Sequence, residues 1–442
     1  MAQMRDDISM EEQVLALAKG VAQEAEVFSI ASRETPVSFE ANRLKELQTK
    51  EVRGLALRVV ANGRVGLASS TRWGDPADLV ASAMNMARYG AEARFELPGQ
   101  HPLPTVRVYD SAIESLPVEQ LVVMGQRMID RVRSSDAAIL CDAGVRARVS
   151  MVRIVNSRGA DQTTRKSVIS ASLHGNLVRG TDMLDVYEDA SSCQSGLDLD
   201  ALAASVIRKT ENARQLGAVT TGSMPVIFTP KGVAMTLIAP LSMALSGKMV
   251  FQGASPLGDK LGQVVADSGF SLHDDGTLDW AASSGGCDHE GVPCQRTALI
   301  DHGCVMHFYY DLQMAGLAGA TSTGNGFRSL DSLPGPGTTS LVVAPGQTTL
   351  EEMLADVSDG LLVDQTMGAW SGNLISGEFS ANVHLGYRIS HGRIVGRVKD
   401  TMVAGNIFQA LGGLAAVGGR PEWSGDVLTP PLYFKSLGVA SK

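Results

Sequence analysis

Turns that end in glycine, set between runs of alternating apolar and polar residues, constrain this chain more than any other feature. Residues 54–60 and 65–70 flank Asn62-Gly63. Residues 297–300 and 304–310 flank Asp301-His302-Gly303, and residues 379–389 and 393–398 flank a turn around His391-Gly392. A period of two puts one face of a strand into a core. An Asn-Gly pair adopts the positive φ angles that a two-residue hairpin needs. The chain must therefore build antiparallel sheet. Its 47 glycines in 442 residues, with only 5% aromatics, fit many turns and close backbone contacts.

Helical signals are interleaved with these runs, chiefly in the first half. Ser9 and Glu12 read as a capping box ahead of Val14, Leu17, Ala18 and Val21. Asp75-Pro76 opens a second helix that Gly90 can stop, and Pro117 opens a third. A strand is expected over 37–42, and two more over 147–156 and 167–174, flanking a turn near Arg158-Gly159. A polar helix spans about 198–216, and the small, turn-rich stretch 218–223 marks a boundary. Beyond it the spacing predicts a short strand at 226–228, an apolar helix over 233–249, a strand at 340–344 and a late helix over 350–363 capped by Thr348 or Thr349. The expectation is an α+β protein: an N-terminal α/β mixed-sheet domain over 1–220 and a mainly antiparallel β-rich domain over 221–442.

A formal charge of −9, from 47 acidic and 38 basic residues, argues against binding nucleic acid by neutralising phosphates. Residues 233–245 are broken by Thr236, Pro240 and Ser242 and are too short for a membrane span. The first twelve residues lack a basic segment followed by an apolar one, so no secretory signal is expected. Five cysteines, an odd number, do not suggest a disulfide framework. A soluble, cytoplasmic protein is the expectation.

The densest chemical cluster is Cys287, Asp288, His289, Glu290, Cys294, His302, Cys304 and His307. Three thiols and three imidazoles invite a zinc reading. No Cys-x₂₋₄-Cys pair occurs, however, and on a strand Cys304 and His307 would face opposite sides. His289-Glu290-Gly291-Val292-Pro293-Cys294 mimics a zinc-protease helix, but Gly291 and Pro293 oppose an uninterrupted helix. Thr323-Gly324-Asn325-Gly326 suits a structural turn or an anion-binding nest without the lysine of a P-loop. Ser376-Gly377-Glu378-Phe379-Ser380 reads as a turn entering a strand, or as a groove wall. No GxSxG elbow is present. The residues alone leave a two-domain protein without an evident active site.

Several segments together resemble the TldD/PmbA family. They are Val37-Ser38-Phe39-Glu40-Ala41-Asn42-Arg43-Leu44, Arg53-Gly54-Leu55 and Gly66-Leu67-Ala68-Ser69-Ser70, then Asp288-His289-Glu290-Gly291-Val292-Pro293, Tyr310-Asp311-Leu312, Ser322-Thr323-Gly324-Asn325-Gly326, Ser376-Gly377-Glu378-Phe379-Ser380 and Ala404-Gly405-Asn406. Their order and spacing over nearly the whole chain carry the resemblance. It implies a pairing of two related subunits, TldD and TldE (also called PmbA), into a peptidase that trims unfolded peptides. In that family TldD carries an HExxxH helix and a later cysteine as zinc ligands. Here the corresponding region reads Thr236-Leu237-Ile238-Ala239-Pro240-Leu241-Ser242-Met243-Ala244-Leu245, and no cysteine follows Cys304. The resemblance is thus to the TldE/PmbA branch.

It implies no catalytic residue and no metal ligand on this chain, with zinc on a TldD-like partner. Asp288, Glu290, Gly324, Asn325, Gly326, Ser376 and Gly377 become candidates for a peptide groove or a subunit interface. The implied partners are a TldD-like subunit in a heterodimer, or a second copy in a homodimer, and an extended peptide. The alternatives are a stand-alone peptidase or hydrolase using a metal in the 287–307 cluster or a Cys294 or Cys304 nucleophile, and a homodimeric peptide-binding protein.

Overall fold

A computed structural model describes residues 8–72, 74–369 and 373–442. The chain opens with α1 (Ile8–Lys19), whose first described residue precedes Ser9. Ser9 therefore lies inside the helix and not at the cap expected for it. Four strands follow: β1 (Glu24–Glu40), β2 (Arg43–Leu47), β3 (Lys50–Ala61) and β4 (Arg64–Ser70). Asn62 and Gly63 join β3 to β4 at φ angles of 50° and 71°, the left-handed pair that the dipeptide suggests. Next come α2 (Pro76–Ala87), capped by Asp75, the single turn α3 (Ser111–Glu114) and α4 (Val118–Ser135). Three long strands complete the first sheet: β5 (Leu140–Asn156), β6 (Asp161–Arg179) and β7 (Asp182–Ser192). Its order is β4-β3-β1-β5-β6-β7, with β2 also on β1, and every pairing is antiparallel. The helix α5 (Leu199–Asn212), capped by Asp198, packs beside α4 on this sheet.

From residue 222 the chain builds two larger sheets and a small two-stranded one. It runs through β8 (Gly222–Phe228), α6 (Pro230–Thr236), α7 (Ile238–Leu245), α8 (Gly247–Phe251), β9 (Leu272–Asp275), β10 (Arg296–Asp301) and β11 (Cys304–Val305). Then come α9 (Leu312–Ala318), β12 (Gly326–Phe327), β13 (Gly335–Pro336), β14 (Leu341–Val343), α10 (Leu350–Ala355) and β15 (Asp359–Met367). Last are β16 (Glu378–Ser390), β17 (Arg393–Arg397), β18 (Thr401–Asn406), α11 (Ile407–Gly412), β19 (Leu414–Val417), β20 (Glu422–Ser424), β21 (Val427–Thr429) and β22 (Leu432–Ser441). The small sheet pairs β12 with β13. One larger sheet has the order β11-β10-β9-β14-β21-β20. The other runs β15-β8-β22-β18-β16-β17 and closes on itself through the additional β15–β16 pairing. The class is α+β.

Two expected helices are shorter in the structure, for identifiable reasons. The helix expected over 233–249 is three helices. Pro240 has no N–H, and its ring crowds the carbonyl four residues back, which is that of Thr236, where α6 ends. The helix expected over 350–363 stops at Ala355, and β15 takes the rest into parallel pairing with β8. Gly360 makes this possible, since a Cβ there would lie 2.6 Å from the Pro225 carbonyl oxygen.

A continuous core joins the halves. Val37, Leu173 and Val186 of the first sheet share one apolar cluster with Ile227, Leu385, Tyr387 and Tyr433 of the closed sheet. Each such side chain contributes about 1.5–3 kcal/mol by leaving water. No helix among the described residues is long and apolar enough to cross a membrane.

Candidate functional site

The loop between β9 and β10 carries Asp288 and Glu290, and the turn leading into β12 carries Gly324 and Asn325, with Gly326 the first residue of β12. The fold brings all five together. Asp288 is buried, and its carboxyl accepts from the backbone N–H groups of Glu290 (2.9 Å), Val292 (3.0 Å) and Gly326 (2.7 Å). Burial, reinforced by the neighbouring Glu290, pushes its pKa well above the ordinary carboxylate range. Glu290 is 0% exposed. It accepts from Arg58 Nη1 at 2.6 Å and from the Leu312 N–H at 2.8 Å. Arg58 Nη2 also reaches Glu26 at 2.9 Å, and Glu26 receives Arg328 Nη1 at 2.8 Å. Arg58 lies over the Phe95 ring and Arg328 over Phe28. Burial lowers Arg328 to about 10 against the pull of Glu26.

The turn is fitted to this network. A Cβ on Gly326 would lie 2.3 Å from Glu290 Oε2, and one on Gly324, at φ +74°, 2.4 Å from the Pro293 carbonyl oxygen. Asn325 donates to Asp274 (2.7 Å) and to the Gly337 carbonyl (2.8 Å), and its own oxygen accepts from Thr323 (2.7 Å). Burial raises Asp274 to about 6. It also raises Asp311, the N-cap of α9, to about 7, with Glu290 adding to the shift. The five residues thus form a buried polar framework, and Glu290, Asn325 and Gly326 present no open groove. Asp288 borders a cavity of about 240 Å³. The sequence reading missed Glu26, Arg58 and Arg328, because their partners lie up to 302 positions away.

Ser376 and Gly377 lie elsewhere, on a turn against α7 at the start of β16. Gly377 has φ +80°, and a Cβ there would lie 2.3 Å from the Phe408 ring. The Gly377 carbonyl accepts from the Ile407 N–H at 2.8 Å, and that of Ser376 from Asn406 Nδ2 at 2.8 Å.

The segment 236–245 forms the end of α6 and all of α7. Ile238, Leu241, Ala244 and Leu245 are buried in the core. Thr236 and Thr366 share a hydroxyl hydrogen bond of 2.9 Å, and the Ser242 carbonyl accepts from the Tyr309 hydroxyl at 3.1 Å. The segment offers no imidazole, thiolate or carboxylate, so its donor set does not fit Zn²⁺. Among the described residues, no group of three or more His, Cys, Asp and Glu is placed to hold a metal ion. The 287–307 cluster is dispersed. Asp288 and Glu290 turn inward, whereas the His302 and His307 rings bond to the carbonyls of Ser268 and Ala298. Burial pushes the Cys287 thiol up to about 12 and Cys294 higher still, which opposes a thiolate nucleophile at either position.

Residues 221–441 match the PmbA/TldA metallopeptidase C-terminal domain, and residues 25–87 match domain 1 of the same metallopeptidases. The chain belongs to the TldD/PmbA family. Its relatives include an uncharacterized protein of Methanocaldococcus jannaschii, 25% identical over 96% of this chain and 98% of that one. A protein of Methanothermobacter thermautotrophicus named a metalloprotease is 23% identical over 89% of this chain and 87% of its own. Among solved structures, TldE from Thermococcus kodakarensis superposes with a TM-score of 0.89 at 22% identity, covering 98% of this chain and all of that one. At that identity the likeness establishes a shared TldD/PmbA fold.

Proposed function

We propose that this chain is the TldE/PmbA-like subunit of a TldD/TldE-type zinc metallopeptidase that trims unfolded, extended peptides in the cytoplasm. Zinc and general base belong in this reading to a TldD-like partner chain. One observation carries it. The segment that resembles the family's metal helix in position holds only aliphatic, hydroxyl and thioether side chains, is broken at Pro240 and is mostly buried. The Ser376–Gly377 turn, which lies against α7, is the predicted element nearest that segment and the candidate wall of the peptide path. Asp288, Glu290, Gly324, Asn325 and Gly326 act behind it as framework.

The test is to purify the chain alone and together with a TldD-like partner, then measure zinc content and peptide cleavage. Zinc-dependent cleavage should require the partner and move with its zinc. Stoichiometric zinc and peptide turnover by the isolated chain would overturn the reading, and a stable homodimer indifferent to the partner would replace it with a peptide-binding role.

A further inference from the structure

A second feature lies between the face of the N-terminal sheet and the 282–294 loop. It is a cavity of about 240 Å³ lined by the apolar Ile30, Val152, Ile154, Val168 and Phe327, with Arg148, Lys166 and Ser284 among its polar lining. That is below the roughly 300–1,000 Å³ of drug-sized pockets, so it suits one or two residues and not a long peptide. Lys166 is its unusual member. The amine donates to the Ser284 carbonyl at 2.7 Å, and no carboxylate among the described residues forms an ion pair with it. The Ser284 hydroxyl beside it is buried without a partner. This half-buried ammonium has one neutral acceptor and feels Asp426 only through space, without an ion pair to it. A partly desolvated charge so weakly paired is costly, and an anion in the cavity would relieve that cost.

The groups around Lys166 leave this role open. Arg148, from β5, is a second cation, held to Ser32 at 3.1 Å. Burial raises Asp288, Cys193, Cys287 and Cys294, and lowers His289, so each is biased towards its neutral form. Asp426 is the remaining carboxyl near Lys166; burial raises it, against the pull of Lys166 and a hydrogen bond from Ser283. In a chain of net charge −9 the basic groups that line this cavity are Arg148 and Lys166, and its lining carboxyl, Asp288, is biased towards neutral.

We propose that this cavity binds the C-terminal residue of a short peptide, with its carboxylate on Lys166 and Arg148 and its apolar side chain against Ile30, Val152, Ile154 and Phe327. The inference rests on reading the chain as part of a peptide-trimming complex, since such a complex handles free peptide ends. Burial holds the Lys166 amine below the usual lysine range. A bound carboxylate should raise it, so any proton exchanged on binding should be taken up and not released.

The test is titration calorimetry on the isolated full-length chain at pH 8, in two buffers of different ionisation enthalpy. The probes are Gly-Leu, its C-terminal amide, and isovalerate as a free acid of similar apolar shape. Gly-Leu should bind saturably with proton uptake, and the amide should bind about tenfold more weakly or worse, a loss of about 1.4 kcal/mol. Lys166→Met should lose the same factor and the proton uptake, whereas Lys166→Arg should stay within a few-fold of the native chain. Thermal unfolding of each variant shows whether it is folded, and the amide comparison decides the matter even if Lys166→Met is not. Equal binding of peptide and amide, or no binding of either, overturns the carboxylate site. Isovalerate binding as tightly as Gly-Leu overturns its assignment to peptides. The assay contains neither partner nor zinc, so its failure is separable from failure of the proposed peptidase role.

Discussion

Replacing Arg58 by Met is the sharpest test of what holds the two halves in register. Arg58, on β3, bridges Glu26 of β1 and Glu290 of the 276–295 loop at 2.9 and 2.6 Å, and all three side chains are almost fully buried. Methionine keeps much of the stem's volume but leaves Glu290 with only the Leu312 N–H, and Glu26 with only Arg328. Removing one partner of a buried ion pair costs about 3–5 kcal/mol, because the other charge stays behind uncompensated. At roughly 2–4 °C per kcal/mol for a domain of about 200 residues, the melting temperature should fall by about 6–20 °C. Scanning fluorimetry and urea unfolding measure this directly. The control is Arg58→Met with Glu290→Gln, which removes the stranded charge and should recover about 1–2 kcal/mol, a non-additivity expected of residues in one network. A loss below about 1 kcal/mol, or no recovery in the double variant, would show that the network is not the tie between the halves.

Two further perturbations and one control address the same region. Asp311 has its pKa raised by burial to about 7, so the folded state keeps a proton that the unfolded state releases near 4. Its contribution is present at acidic pH and lost as pH rises through about 7. Asp311→Asn, which can still cap α9, should flatten the fall in urea midpoint between pH 5 and 8 and be more stable than the native chain at pH 8 by about 1–2 kcal/mol. An unchanged pH slope would count against it. Gly326→Ala should cost about 1–3 kcal/mol, because its methyl group would meet Glu290 Oε2. Gly335→Ala, with nothing within 4 Å of its Cβ, should stay within about 0.5 kcal/mol of native by the same unfolding assay.

What could be read from the sequence was what is decided locally. Asn62-Gly63, His302-Gly303 and His391-Gly392 all adopt positive φ, and each links paired strands as the alternating runs require. Asp75 and Asp198 cap their helices because the carboxylate needs only a backbone N–H two or three residues on. What could not be read depends on distant partners. Residues 359–363 read as the end of the late helix, yet they start β15 because β8 and β16 offer it backbone on both sides. The strand signal over 37–42 marked only the end of β1, since Arg33, Glu34 and Pro36 conceal a strand whose pairing with β5 is continuous from residue 26 to 39. In the site, Asp288, Glu290 and the Gly324–Gly326 turn stood out by motif. Their burial did not, because Arg58 meets Glu290 across 232 positions.

The contrast between the intact framework and the aliphatic segment 236–245 bears on how the family's chemistry is distributed. Had this chain lost only its donors, restoring them would suffice. Grafting Thr236→His, Leu237→Glu and Leu241→His reproduces the HExxxH spacing, but α6 ends at Thr236 and Leu237 lies between the two helices. Leu237 and Leu241 are also in the apolar core, 0% and 1% exposed, where a carboxylate without a partner is strongly disfavoured. The triple variant should therefore take up well under one equivalent of zinc per folded chain, as read by metal analysis after gel filtration. Adding Pro240→Ala should raise uptake only if the proline is the main obstacle, and a persistent deficit would identify burial as the larger one. Stoichiometric zinc in the folded triple variant would mean that the helix break and the packing impose nothing, and that the difference from a metal-bearing relative is one of side chains alone.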